Sequence, residues 1–295
     1  MVARAQQALA AALETPLAPG LHIVSTPIGN LADITLRALS VLARADLILC
    51  EDTRHSARLL RHYGLDVPLQ PYHDHNAGRV RPGVLKALEA GQSVALISDA
   101  GTPLVSDPGY KLVRAALAGG HKVTSIPGPS ALLAALTASG LPSDRFHFEG
   151  FLPPRQTARR RRLTELAGLP ATLIFYESAQ RVAAMLRDAA HSFGTREAVL
   201  ARELTKMHEQ IVRGSVEELV EKLGESIPLK GEFVVLVAPA PAGAVSEAQI
   251  MEALEEALAH ASLRDAARDV ADALGVSRSR VYALALALQG EGGAR

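Results

Sequence analysis

The chain has 295 residues with 31 basic and 31 acidic side chains, so no global positive field draws in nucleic acid, and any such partner must meet a local patch. Apolar residues make up 48% and charged residues 21%, which excludes general disorder and, at about twice the usual domain length, points to two domains. The single Cys50 excludes a disulfide framework and a cysteine-based zinc site, so the chain reads as intracellular and cytoplasmic.

Residues 1–20, where a short apolar run meets Pro16 and Pro19, read as a disordered extension. From residue 21 onward, apolar runs at 21–25, 47–50, 94–97 and 123–126 alternate with helical spacing at 35–44, 53–63, 80–90 and 108–118. This predicts an N-terminal α/β domain, 21–140, with a mainly parallel, doubly covered sheet whose ligand crevice lies at the carboxyl ends of the strands. A helix over 130–139 closes it, and Gly140, Pro142, Pro153 and Pro154 mark a hinge. Strands at 172–176, 198–204 and 233–238 with helices at 179–191 and 216–223 predict a second α/β domain, 145–240. A linker at 239–243 leads to a helical tail, 246–290, broken at Gly275. The longest uncharged stretch, 123–143, holds three prolines and two glycines, so no membrane span is expected.

The chemistry gathers at strand ends. The first strand runs out into Ser25-Thr-Pro-Ile-Gly-Asn30, with Asp33 or Thr35 placed to cap the next helix. Neither G-x-G-x-x-G nor G-x-x-x-x-G-K-[ST] occurs, which removes the main support for a dinucleotide or P-loop site. The loop 98–109 is longer than the usual strand-to-helix connection. Asp107 and Pro108 fit the cap and first turn of the following helix, leaving Asp99, Ala100, Gly101 and Thr102 free to hold a ribose or amino-acid moiety. Ser130 and Ala131 open a helix directly after another strand end. Two polar loops side by side on one sheet edge are best explained as one small-molecule pocket.

Eight segments then carry a resemblance over nearly the whole folded length: Thr26-Pro-Ile-Gly-Asn-Leu-Ala-Asp-Ile-Thr35, Cys50-Glu-Asp-Thr-Arg54, Tyr72-His-Asp-His-Asn76, Ser98-Asp-Ala-Gly-Thr-Pro103, Ser106-Asp-Pro-Gly109, Pro127-Gly-Pro-Ser-Ala131, Phe175-Tyr-Glu-Ser178 and Arg202-Glu-Leu-Thr-Lys206. They resemble the bacterial 16S rRNA (cytidine-2′-O)-methyltransferases of the tetrapyrrole-methylase-like (class III) superfamily. The resemblance implies S-adenosylmethionine in a cleft between two α/β domains. It implies contacts from Ile28, Asp99, Ala100, Gly101, Thr102, Ser130 and Ala131, with Tyr176 and the segment around Glu232 closing the pocket. It further implies a homodimer acting on a decoding-centre cytidine, in 16S rRNA or the small ribosomal subunit.

The residues themselves add candidates. Arg155, Arg159, Arg160, Arg161 and Arg162 put five arginines within eight residues, read as phosphate contacts or as basic solvated surface. Arg54, following Glu51 and Asp52 at a strand end, is a substrate contact or a salt bridge. His73 and His75 lack a third ligand at a telling distance, so no metal is expected. Methylating a ribose hydroxyl needs a destination for its proton. Lys206 and Glu177 are the candidates to accept it or to orient the hydroxyl, against plain readings as a solvated lysine and an ion pair with Arg181; Asp52 and Asp33 come next. The tail has helix-turn-helix grammar, with Ser277, Arg278, Arg280 and Tyr282 opening its last helix. Two rivals compete. A tetrapyrrole C-methyltransferase is disfavoured by the arginine run, the tail and the Thr26-to-Asn30 loop, and a non-catalytic nucleic-acid regulator leaves the crevice without a purpose.

Overall fold

A computed structural model describes residues 2–241, 247–274 and 276–292. Where a disordered extension was expected, Val2–Glu14 forms helix α1: the segment is built of strong helix formers, and its prolines lie beyond the end. The first sheet follows as Gly20–Val24 (β1), Leu36–Leu42 (α2), Leu47–Cys50 (β2), Thr53–His62 (α3), Leu69–Pro71 (β3), Ala77–Glu89 (α4), Ser93–Leu96 (β4), Tyr110–Ala118 (α5) and Val123–Ile126 (β5), with Ala131–Ser139 (α6) after it. All its pairings are parallel, in the order β3-β2-β4-β1-β5.

The apolar runs explain this sheet, because each strand must be buried on both faces. Val24, Ile48, Ala95 and Ile126 pack against α2 and α3, while Leu21, Ile23, Leu49 and Leu96 pack against α4 and α5. The connection from β1 to β2 passes β4 on the α2 face, and the connection from β4 to β5 passes β1 on the α5 face. The chain thus leaves the neighbours β4 and β1 in opposite directions on opposite faces of the sheet. A crevice opens at the carboxyl ends of such a pair.

The second sheet comprises Phe146–Phe151 (β6), Thr172–Ser178 (β7), Glu197–Arg202 (β8), Gln210–Ser215 (β9) and Glu232–Val237 (β10), with Gln156–Leu166 (α7), Val182–Phe193 (α8) and Val216–Lys222 (α9). Its order is β6-β7-β10-β8-β9, and only β6 and β7 run parallel. Part of the expected hinge is therefore strand β6, an edge strand whose sequence Phe146-His-Phe-Glu-Gly-Phe151 holds no unbroken apolar run. One face is covered by α7, α8 and α9. From the other, Ile174, Val199 and Leu236 pack against Ala135 and Leu136 of α6, so this helix joins the two sheets.

The tail helices Glu247–Leu258 (α10), Leu263–Leu274 (α11) and Arg278–Gly292 (α12) close their own small core around Ile250, Leu254, Val270, Val281 and Ala285. Gly275 and residues 242–243 of the expected linker lie outside the described residues. Among the described residues no helix is long and apolar enough to cross a membrane.

Candidate active site between the two sheets

The floor of the crevice is a weld of three strand ends. Thr26 and Gly101 exchange backbone hydrogen bonds of 2.9 and 3.0 Å, fastening the loop after β1 to the loop after β4. The Thr26 hydroxyl donates to the Ser98 carbonyl at 3.1 Å, and the Thr102 hydroxyl donates to the Pro129 carbonyl, also at 3.1 Å. Gly101 sits at φ +85°, and a Cβ there would lie 3.3 Å from Ile28 Cγ2, so both the backbone and the space call for glycine.

The second sheet supplies the roof. Ile28, Asp99, Ala100, Gly101, Thr102, Ser130, Ala131, Tyr176, Glu177, Lys206 and Glu232 line one cleft of about 340 Å³. The described non-glycine residues with positive φ, Leu104, Ser106, Glu203 and Thr205, all lie in the two loops that flank it. Backbone held this way gathers where a site is pre-shaped. Lys206 reaches back to Glu203 at 2.7 Å and Glu232 at 2.8 Å. Burial works to lower its pKa, but these two carboxylates outweigh that and raise it, so Lys206 is an ammonium. Gly29 makes room for it, since a Cβ on Gly29 would lie 2.3 Å from Lys206 Cγ.

Glu177 is buried, its Oε1 accepting from the Ser178 amide at 2.9 Å and its Oε2 lying 3.2 Å from Arg181. Burial raises its carboxyl, and Oε2 has no hydrogen-bond partner. The ion pair expected as the plain reading is therefore present, although the residue also faces the cleft. Asp99 accepts from the Asp52 amide at 3.1 Å, so part of its carboxylate braces the neighbouring strand end. Ser130 stands at the cap of α6 without a side-chain cap bond.

Asp107 departs from its expected role. The cap of α5 is Gly109, because the loop turns through Leu104 and Ser106 and the helix starts at Tyr110. Asp107 instead lines the cleft. Its pKa is pushed up to about 6, chiefly by burial and further by Glu51 and Asp99, against a hydrogen bond from Ser98. An Asp-Pro pair before a helix looks like a cap in sequence, so nothing local flagged it.

The arginine run is also corrected. Arg159 is buried with its Nη2 2.6 Å from Asp188, and Arg160 reaches the same carboxylate at 2.7 Å. Arg162 pairs with Glu149 at 2.7 Å and Glu165 at 2.9 Å, and Arg161 lies 3.6 Å from Glu165. Arg159 is thus a core ion pair rather than a phosphate ligand, while Arg160 and Arg161 keep exposed side chains beside their carboxylate partners. Arg155 is exposed at the cap of α7, and Arg54, 89% exposed, pairs with Asp52 at 3.3 Å. His73 and His75 stack edgewise 6.0 Å apart. Among the described residues no group of three or more His, Cys, Asp or Glu is placed to hold a metal ion. In the tail, Arg278 pairs with Asp272 at 3.1 Å and Tyr282 is exposed.

Residues 20–220 match the tetrapyrrole (corrin/porphyrin) methylases, and residues 244–289 match the RsmI C-terminal HTH domain. The ribosomal RNA small subunit methyltransferase I of Mesorhizobium japonicum is 50% identical over 94% of this chain and 97% of its own. Its counterpart in Pseudomonas aeruginosa is 48% identical, covering 92% of this chain and 98% of its own. The solved structure of the methyltransferase CobJ superposes with a TM-score of 0.57 at 21% identity, over 76% of this chain and 95% of that one, a likeness of fold alone. The whole first sheet and most of the second fall inside one family match, and relatives near half identity run almost end to end: the chain belongs to the tetrapyrrole methylase family, among the ribosomal RNA small subunit methyltransferases I.

Proposed function

We propose that the cleft binds S-adenosylmethionine and serves 2′-O-methylation of a cytidine ribose in 16S rRNA. The observation that carries this reading is the meeting of three welded strand ends and the second sheet's Tyr176, Lys206 and Glu232 around one cleft. The residues fit the cofactor. Gly101 leaves backbone where a side chain would intrude, Ile28, Ala131 and Val234 offer apolar wall, and Asp99 and Ser130 offer polar contacts. When bound, S-adenosylmethionine supplies an electrophilic methyl group carried on a sulfonium.

The chain's own residues then position a hydroxyl and receive its proton. Lys206, held as an ammonium, suits orienting the hydroxyl, one of the two parts expected of it, and not accepting the proton. Glu177 is engaged with Arg181 and Ser178, and its role is to shape the wall. Asp107 is the cleft carboxylate best matched to take the proton, with a pKa of about 6. The reading includes 16S rRNA or the small subunit as partner, a homodimer and a cytoplasmic setting, as the resemblance implies.

The arginine run weighs less against a tetrapyrrole acceptor, since Arg159, Arg160 and Arg162 are paired within the fold. The helical tail and the near full-length relatives support RNA instead. Transfer of labelled methyl to small ribosomal subunits, with the labelled nucleoside mapped, tests the proposal. A 2′-O-methylcytidine is expected. Label on a base, or on a precorrin and not on RNA, would overturn it.

A further inference from the structure

Asp188, Glu149 and Glu165 engage Arg159, Arg160 and Arg162 of the arginine run, so a basic surface more open to phosphate lies elsewhere. Helix α3 offers one. Arg54, Arg58 and Arg61 recur at i, i+4 and i+7 and so share a face, flanked by His55 and His62. All five side chains are exposed, while Ser56 and Leu60 point into the core. No acidic residue occurs from Thr53 to Leu65, and among the described residues Asp52 at the helix cap forms its ion pair with Arg54 alone. Arg61 donates to the Ala57 carbonyl of its own helix, and neither it nor Arg58 has a carboxylate partner among the described residues. In a chain whose charges cancel overall, this face is basic along its length.

Its placement is as telling as its charge. The Asp52 amide at the cap of α3 bonds the Asp99 carboxylate, so the helix starts at the mouth of the cleft. At the other end the Tyr63 hydroxyl donates to the Leu31 carbonyl, fixing α3 to the loop that follows β1. The arginines therefore stand on a braced helix, and at about 1.5 Å per residue the seven steps from Arg54 to Arg61 span about 10 Å leading away from the cleft.

We infer that the exposed face of α3 binds the sugar-phosphate backbone of the RNA strand entering the cleft, with Arg58 and Arg61 as phosphate contacts. The inference rests on the RNA reading above. Phosphate contacts release counterions and show as a salt dependence of affinity, whereas a merely solvated face does not.

The test is binding of the full chain to small ribosomal subunits over a series of salt concentrations, comparing wild type, Arg58→Gln with Arg61→Gln, and Arg160→Gln with Arg161→Gln. The α3 variant should bind about tenfold or more weakly at moderate salt, with a log–log salt slope shallower by roughly 1.4 to 2. Its affinity for S-adenosylmethionine should stay unchanged, and Arg58→Lys with Arg61→Lys should keep most of the slope. The α7 variant should keep the wild-type slope. Coincident slopes for the α3 variant and wild type would overturn the inference, as would an equal loss in the α7 variant. Wild-type protein that binds subunits yet methylates nothing would overturn the proposed reaction, while the slopes would still decide the role of α3.

Discussion

The hydroxyl of Tyr176 on β7 accepts the backbone N–H of Leu132, in the first turn of α6, at 2.9 Å. One bond therefore clasps the second sheet to the helix that closes the first. Phe148 and Phe151 stack edgewise on the same ring at 4.9 and 5.9 Å. Tyr176→Phe keeps the stacking but leaves a half-buried N–H unpaired, a loss of roughly 1–3 kcal/mol. The expected outcome is a lower melting temperature together with weaker S-adenosylmethionine binding. Identical melting and calorimetric curves would remove the clasp from the account.

Asp107 gives the site a pH signature. A proton acceptor must be ionised, so the single-turnover rate should rise with pH through about 6 and level off above it. Asp107→Asn should lower that rate about 100-fold or more and flatten the profile. Stability should move the other way. The folded carboxyl binds its proton more tightly than the unfolded one, so its contribution is present at low pH and lost as pH rises through about 6. The asparagine variant should then melt higher than wild type at pH 8. A variant with full activity and an unchanged profile would dismiss Asp107.

Asp188 should prove a stability residue. It is 1% exposed and accepts from Arg159, Arg160 and Gln156. Burial alone would raise its carboxyl, but these bonds outweigh it and hold the pKa below the usual range, so their stabilisation is present at neutral pH and lost on acidification. Asp188→Ala strands the buried Arg159 charge at a cost of about 3–5 kcal/mol. Urea denaturation reads this directly, and a shift below 1 kcal/mol would contradict the buried pair.

Gly29 and Lys206 should be coupled. An alanine at Gly29 would drive its Cβ into the Lys206 side chain and break the contacts with Glu203 and Glu232. Gly29→Ala is expected to weaken cofactor binding about tenfold, the scale of one charge-assisted hydrogen bond. Combined with Lys206→Ala, it should add little. Additive losses in the double-mutant cycle would mean that the two act separately.

The first sheet was legible because parallel strands buried on both faces leave unbroken apolar runs, as in Leu47-Ile-Leu-Cys50. Edge strands leave no such trace, so β3, β6 and β9 passed as loop or hinge, and with them the antiparallel character of the second sheet. The cleft residues could be found because strand-end loops such as 98–109 are polar and long. What stayed hidden was pairing at a distance. Asp188 lies 29 residues beyond Arg159, with no local pattern to announce that it would take up the charge of the run. The left-handed turns at Leu104 and Ser106 were equally unreadable, since neither residue type favours that conformation, and they are what swing Asp107 into the cleft.

Helix α6 follows the first sheet in the chain and packs with the second, sharing one core with Ile174, Val199 and Leu236. Parting the cleft walls would expose that apolar surface to water, so the protein is poorly suited to closing around a stacked, base-paired substrate. On the proposed RNA reading the rearrangement falls to the RNA: the target nucleotide leaves its stack and extends its ribose into a space already formed, at an unstacking cost of a few kcal/mol that is least for a nucleotide already unpaired. On that same reading, the ease with which a nucleotide leaves its stack contributes to which one is modified.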